Sequence, residues 1–226
     1  ALVYKDNNLI ASWKHQWVGA NYNPEAGYVP RVNYFQINPE VGKIFYPANK
    51  SSKIFYTQMR LNSLSYWNNQ GTLTDNTTYL THEGKLKDQS SFATFVSYDF
   101  VKLLYNFDAT RMGNTPLKTG TEHSWYALNV SYISSPIKLF THSTSIRVGG
   151  YYGNGTRTGI TSEIGYRFQP FGSISMAVDY NDIQDVEVPG TAVDATKKVS
   201  AQFWIIRPKI DITFTNKLFF ATFFQL

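Results

Sequence analysis

The sequence predicts an antiparallel up-and-down transmembrane β-barrel, and an incomplete segment of a larger one. Three observations carry this: a residue alternation of period two, a composition poor in charge and rich in aromatics, and an asymmetry between long and short connections. The alternation is clearest from Trp125 to Tyr180. Tyr126, Leu128, Val130 and Tyr132 interleave with Trp125, Ala127, Asn129 and Ser131. After Ser134-Ser135-Pro136, Ile146 and Val148 oppose Ser143, Ser145, Arg147 and Gly149. After Gly153-Asn154-Gly155, Ile160, Ile164, Tyr166 and Phe168 oppose Thr161, Glu163, Gly165 and Arg167; then Ile174, Met176, Val178 and Tyr180 oppose Ser175, Ala177, Asp179 and Asn181. A period of two means extended strands with unlike faces, and short turns between them mean an antiparallel meander. The apolar face is aromatic near the turns (Tyr132, Phe140, Tyr152, Phe168, Phe171, Tyr180), and the other face is small and polar. That pattern fits lipid outside and a polar lumen inside. The competing reading is a soluble sandwich or barrel, whose polar face would carry many Lys and Glu.

Composition agrees. Charged residues make up 16% of the 226 residues and aromatics another 16%, whereas soluble domains carry roughly 25% charge. A water-facing surface of this kind would be adhesive. The mean hydropathy is −0.30, and no apolar run approaches the length of a helical span; alternating strands produce this weak average too. With no cysteine, disulfides, thiolate metal sites and Cys nucleophiles are excluded. The net charge of +5 is spread over lysines near predicted turns and strand ends (Lys50, Lys53, Lys85, Lys87, Lys197, Lys198). No basic stripe of the kind nucleic acid requires is formed. The start, Ala1 to Lys5, lacks the pattern of a secretory leader, so the chain is expected to be mature or part of something longer.

In order, the strands are expected over Leu9–Gly19, Val32–Phe45 (with Pro39 at a bulge or an unpaired position), Lys53–Trp67, Leu73–Lys85, Ser91–Tyr105, the four of the Trp125–Tyr180 stretch, Lys198–Ile212 and Lys217–Leu226. A change of face near Ile205-Ile206 suggests a bulge before Pro208. The total is about eleven strands and no helix, in a single domain over residues 1–226. Long connections near 20–31, 106–120 and 184–197 fall at one end, and tight turns near 47–52, 87–90, 135–138, 170–172 and 214–216 at the other. Long loops outside and short turns in the periplasm is the outer-membrane arrangement. Because a lone strand edge at membrane depth leaves its N–H and C=O groups in hydrocarbon, further strands are expected before Ala1 or after Leu226.

The segment Asn21 to Arg31, NYNPEAGYVPR, is followed by INPEVGKIFYP (Ile37 to Pro47), LNSLSYW (Leu61 to Trp67) and QGTLTD (Gln70 to Asp75). Together these resemble an outer-membrane family of Bacteroidota in which a carbohydrate-binding-like domain of the family-nine type precedes a large C-terminal barrel of unknown function. The resemblance implies that this chain corresponds to part of that barrel without the sugar-binding-like domain. It brings no established functional residues with it.

Candidate sites are few. His15, His82, His123 and His142 lie on different strands, without metal-ligand spacing. Ser143 and its neighbour His142 point to opposite faces and cannot form a nucleophile–base pair. Asp182, Asp185, Glu187 and Asp194 cluster at the third long loop, but their spacing matches no calcium loop and solvated loop acids are the simpler reading. Neither enzyme activity, cofactor nor metal is expected. The lumen set, Lys14, Arg60, Asp99, Arg147, Glu163, Arg167, Asp179, Lys209 and Asp211, either pairs across strands or lines a wet pathway. Arg147 with Glu163 and Arg167 with Asp179 are the expected pairs.

The loop candidates are Asn23, Pro24, Glu25, Tyr28 and Arg31. Two prolines stiffen this loop (Pro24 and Pro30), Tyr22, Tyr28 and Val29 are poorly suited to water, and Gly27 permits a reversal. The loop is expected to fold over the barrel mouth, with Arg31 paired to Glu25 or to a lumen charge. Localisation in the outer membrane follows, with lipid and lipopolysaccharide as surroundings. Function divides into two classes: a channel for glycans or other small solutes, or a plugged subunit docking other outer-membrane proteins or surface lipoproteins.

Overall fold

The computed structural model describes residues 1–23, 31–190, 195–215 and 217–226. Among these, twelve antiparallel strands form one sheet in which every strand pairs with its sequence neighbours. They are β1 (Leu2–Lys5), β2 (Leu9–Val18), β3 (Tyr34–Phe45), β4 (Ile54–Asn68), β5 (Leu73–Leu86), β6 (Ser91–Lys102), β7 (Glu122–Ile133), β8 (Phe140–Gly150), β9 (Thr156–Phe168), β10 (Gly172–Pro189), β11 (Thr196–Thr215) and β12 (Leu218–Phe223). Helix is absent among the described residues, and β1 and β12 do not pair to close the sheet. The twelfth strand, β1, is only four residues long, too short to declare itself by alternation.

Register carries the two-faced pattern across the sheet. Leu61, Leu80, Val96, Leu128 and Val148 are successive cross-strand partners from β4 to β8, so they share one face. That face is open: Val96, Ile164 and Met176 are each 48% exposed. Among the described residues no second sheet covers it, so the core of a soluble sandwich is not what these side chains form. Val178, expected on this face, lies there but is half-buried, as is Phe92. Gly84 is the cross-strand partner of Phe92. A Cβ at Gly84 would meet the Phe92 ring at 2.4 Å, so the ring covers bare backbone that a larger residue would have filled.

The opposite face, called inner here, carries Gln36, Asn38, Glu40, Arg60, Asn62, Thr81, Ser97, Asn129, Ser145, Thr161 and Asp179. Pro39 pairs with Trp13 of β2, while the ladder from β3 to β4 skips residues 38 and 39. Proline has no N–H to give, so it occupies the interrupted position.

Two expectations near the C-terminal third are corrected. The bulge lies in β10, between Ile183 and Val186, and β11 runs in unbroken register with β10 from Ala201 to Ile212. The extra residue there brings Asp185 to a φ of 56°. The apparent change of face at Ile205-Ile206 is an apolar patch on the inner face, not a bulge. The third long loop is also shorter than expected, because β10 continues through Pro189 and β11 starts at Thr196. Asp185 and Glu187 concealed the alternating Val186 and Val188, which are 0% and 2% exposed.

That tall hairpin has a partner. The connection 103–121, between β6 and β7, turns back over the inner face. It is closed at its base by hydrogen bonds between Leu103 and Thr121 (2.9 Å) and between Gly120 and Leu103 (2.7 Å), and higher up by a bridge between Phe107 and Leu117. Leu103, Ala109 and Leu117 pack with Tyr151, Ile183, Val186, Val188 and Val199 into the hydrophobic core of the described chain. The β8–β9 turn seals this core. Gly153 (φ 56°) accepts from Glu187 N–H at 2.8 Å, and a Cβ there would sit 2.5 Å from the Glu187 carbonyl. Tyr152 packs, with tilted rings, between Phe107 (4.9 Å) and Trp125 (4.7 Å). Burial, with Tyr151 and nearby carboxylates adding to it, pushes its phenol up to about 12.

Asp108 organises the tip of this connection. Its carboxylate accepts from Thr110 N–H (2.9 Å) and O–H (2.6 Å), Gly113 N–H (2.9 Å) and Asn114 N–H (3.0 Å). Burial opposes its ionisation, but the four donors outweigh it and hold the carboxyl below its ordinary value. A lowered folded-state value means the stabilisation is present above the ordinary aspartate range, near pH 4. It is lost as pH falls through the depressed value. Amide exchange at Thr110, Gly113 and Asn114 is expected to accelerate, relative to intrinsic rates, on acidification below that range. Asp108→Asn is expected to be fast at every pH. Equal protection at pH 6 and pH 3 would contradict this account.

Candidate functional site

The inner face carries most of its charges in two groups, one on β3 to β5 and one on β8 to β11. In the first, Arg60 on β4 lies between Glu40 on β3 (3.3 Å) and Glu83 on β5 (2.9 Å). Gln58 also donates to Glu83. Alternating inner positions on three adjacent strands put these side chains in one row, and the two carboxylates neutralise the guanidinium. Near the end of the same strands, Arg31 donates to Asp75 and Thr74, both at 2.6 Å, with its guanidinium 5.1 Å from the Tyr66 ring centroid. Arg31 thus pairs with an inner-face charge, one of the two partners expected for it. Asn23 is exposed. Pro24, Glu25 and Tyr28, with the expected inward folding of their loop, lie outside the described residues. The connection seen folded over the inner face is 103–121.

The second group surrounds a cavity of about 440 Å³ beneath the tip of that connection. Ala109, Thr110 and Arg111 form its roof, and the inner faces of β7 to β11 form its floor. Arg147, Arg157 and Arg207 reach it from β8, β9 and β11. Arg147 donates to two backbone carbonyls, of Arg157 (3.2 Å) and Gly150 (3.0 Å). Arg157 donates twice to the Asn181 amide oxygen, at 3.1 and 2.6 Å, and stacks over Tyr151 at 5.7 Å. Arg207 contacts Asp179, whose other oxygen accepts from Thr161 at 2.7 Å. The Arg207 contact is ionic without hydrogen-bond alignment.

Both expected cross-strand ion pairs are corrected by this geometry. Arg147 faces Gly159, while Glu163 faces Ser143, four residues along the ladder. Arg167 faces Ser173, whereas Asp179 faces Thr161. Arg167 instead donates to the carbonyls of Pro136 and Lys138 (2.8 Å) and so ties down the β7–β8 turn. Asp99 accepts from Thr77 (3.0 Å) and Ser97 (2.8 Å). Lys14 is exposed on the inner face opposite Asn38, and Lys209 pairs with Asp211 on its own strand at 2.8 Å.

Glu40, Glu83, Arg157 and Arg207 were missed in the sequence. Arg157 and Arg207 fall on the extended alternation of β9 and β11, two residues from Gly159 and Lys209 respectively. The apparent change of face in β11 hid the latter.

Of the histidines, His142 lies beside Tyr132 (5.3 Å) and His82 beside Phe92 (5.7 Å) on the outer face. His123 accepts from Gly153 N–H at 3.2 Å, a packing role. Near the bulge, Glu187 accepts from Asn154 at 3.0 Å and Asp185 lies 4.0 Å from Lys198; Asp194 lies outside the described residues. Among the described residues no three His, Asp or Glu side chains are grouped as a cation site would need.

Fold and site together define an all-β, up-and-down sheet protein with an open apolar outer face and a polar, charge-bearing inner face. No protein-family model matches the chain, and no curated protein or solved structure matches it either.

Proposed function

We propose that this chain is the wall of an outer-membrane β-barrel that conducts small solutes, with its outer face in lipid and lipopolysaccharide. The observation that carries the reading is the exposed apolar band running across consecutive strands (Leu61, Leu80, Val96, Leu128) opposite a face of Asn, Ser, Thr and paired charges. Hydrocarbon is the solvent that stabilises the first face while leaving the second to water. The asymmetry of the ends supports it: 103–121 and the tall β10–β11 hairpin stand at one end, and short turns laced by cross-turn hydrogen bonds, such as Lys87 N–H to the Lys53 carbonyl (2.9 Å), at the other. The resemblance of Asn21 to Asp75 to a Bacteroidota barrel family points the same way, with glycans or their products as solutes. Most of the inner-face arginines are engaged by structural partners, Arg60 by two carboxylates and Arg147 by two backbone carbonyls, and the reading assigns them to the wall of a conduit and not to catalysis.

The second reading is a plugged subunit of a larger outer-membrane assembly. It is favoured by the inward-folded 103–121 segment, whose Thr110 is 0% exposed. Planar-bilayer recording on the full-length protein separates the two. Steady conductance that changes when Arg147 is replaced by Gln is the expected result. A silent bilayer, with stoichiometric copurification of other outer-membrane proteins, would replace the conduit with the subunit.

A further inference from the structure

We propose that the cavity beneath the 103–121 segment binds the oxyanion group of a small acidic solute, a carboxylate or sulfate, held by Arg147, Arg157 and Arg207. The inner face treats arginine in two different ways. Arg60 and Arg31 are neutralised by Glu40, Glu83 and Asp75. Arg147 and Arg157 are held by neutral acceptors, backbone carbonyls and the Asn181 amide. Among the described residues neither has a carboxylate within 4.0 Å. These contacts fix the guanidinium planes without cancelling their charge. Four arginines line the cavity, counting Arg111 in the roof, against one carboxylate, Asp179. Four minus one leaves an excess of three positive charges in the lining of a partly enclosed space, with Asp99 acting on Arg147 only from beyond 4.0 Å.

Clustering like charges costs free energy, and an oxyanion relieves it through bidentate, charge-assisted hydrogen bonds. Rings of Arg in pores select for anions by the same means. The volume of about 440 Å³ lies within the range that holds small organic ligands, roughly 300–1,000 Å³. Asn129, Ser145 and Thr161 add neutral groups suited to hydroxyls. Asp179 sets the strength of the site, because it occupies Arg207 and is the oxygen an incoming anion must compete with.

This inference rests on the conduit reading for its biological use, but its test does not. The full-length protein, folded in detergent micelles at low salt, is titrated calorimetrically with glucuronate, with inorganic sulfate and with neutral glucose. Saturable binding of at least one oxyanion, and none of glucose, is expected. Glucuronate alone would indicate a sugar acid as the ligand; both would indicate the bare oxyanion. Arg147→Gln is expected to weaken binding about tenfold, the scale of one charge-assisted contact. Asp179→Asn, which frees Arg207, is expected to tighten it several-fold. Lys14→Gln, on distant β2, is expected to leave it unchanged. The proposal is overturned if neither oxyanion saturates, if glucose binds equally, or if Arg147→Gln and Asp179→Asn both leave the affinity as it was. Such a failure would leave the conductance result untouched.

Discussion

Replacing Val96 by arginine is expected to remove about 2–4 kcal/mol of stability in a bilayer, the cost of a cationic side chain on the lipid face near mid-membrane. Val96 lies at the centre of β6, 48% exposed, between its cross-strand partners Leu80 and Leu128. The substituted guanidinium would therefore emerge among apolar neighbours, far from either strand end to which it could snorkel. Ser175→Arg provides the contrast. Ser175 is on the inner face, beside Gly165 and Lys209, where the proposed conduit would let water hydrate a charge. Equilibrium urea unfolding in phospholipid vesicles measures both. The lipid-facing reading is refuted if the two variants lose equal stability, or if Val96→Arg folds normally in plain buffer without lipid or detergent.

Truncating Leu117 to alanine is expected to release the 103–121 segment from the inner face. Leu117 is 4% exposed within the core formed with Val186, Val188 and Val199, and Leu→Ala at such a site costs about 2–5 kcal/mol. The segment is held by few backbone hydrogen bonds, whereas the strands beneath it are held by continuous ladders. The cost should therefore appear as local opening, not as global unfolding. Trypsin cleavage after Arg111 or Lys118 is expected to accelerate while the bulk of the sheet stays protected, and single-channel conductance is expected to rise. Cleavage at the wild-type rate would mean that the core does not hold this segment in place.

The amino-acid sequence by itself determined eleven of the twelve strands and, over most of their length, the two faces. Alternation is local: Tyr126 to Tyr132 or Ile174 to Tyr180 assign their own faces without reference to any partner, since the side-chain period of a strand is two. The lack of helix, the antiparallel order and the clustering of tight turns at one end follow from the same local signals. Local signals failed where the faces stopped being pure. Phe203, Val186 and Val188 are apolar on the inner side because a distant segment covers them, Ile205 lines the cavity under that segment, and no periodicity within β10 or β11 reports that cover. Local signals therefore end the hairpin at 184 and put its bulge on the wrong strand.

Charge pairing was equally beyond reach. Arg147 and Glu163 occupy adjacent strands, but only the register, set by turn geometry and by the packing of whole faces, places them four residues apart. The cavity belongs to this second category altogether. Its floor comes from alternating residues of neighbouring strands and its roof from a connection far back in the sequence. Its net charge depends on which arginines meet carboxylates and which meet carbonyls, and that is decided by long-range docking and not by any local signal within a strand.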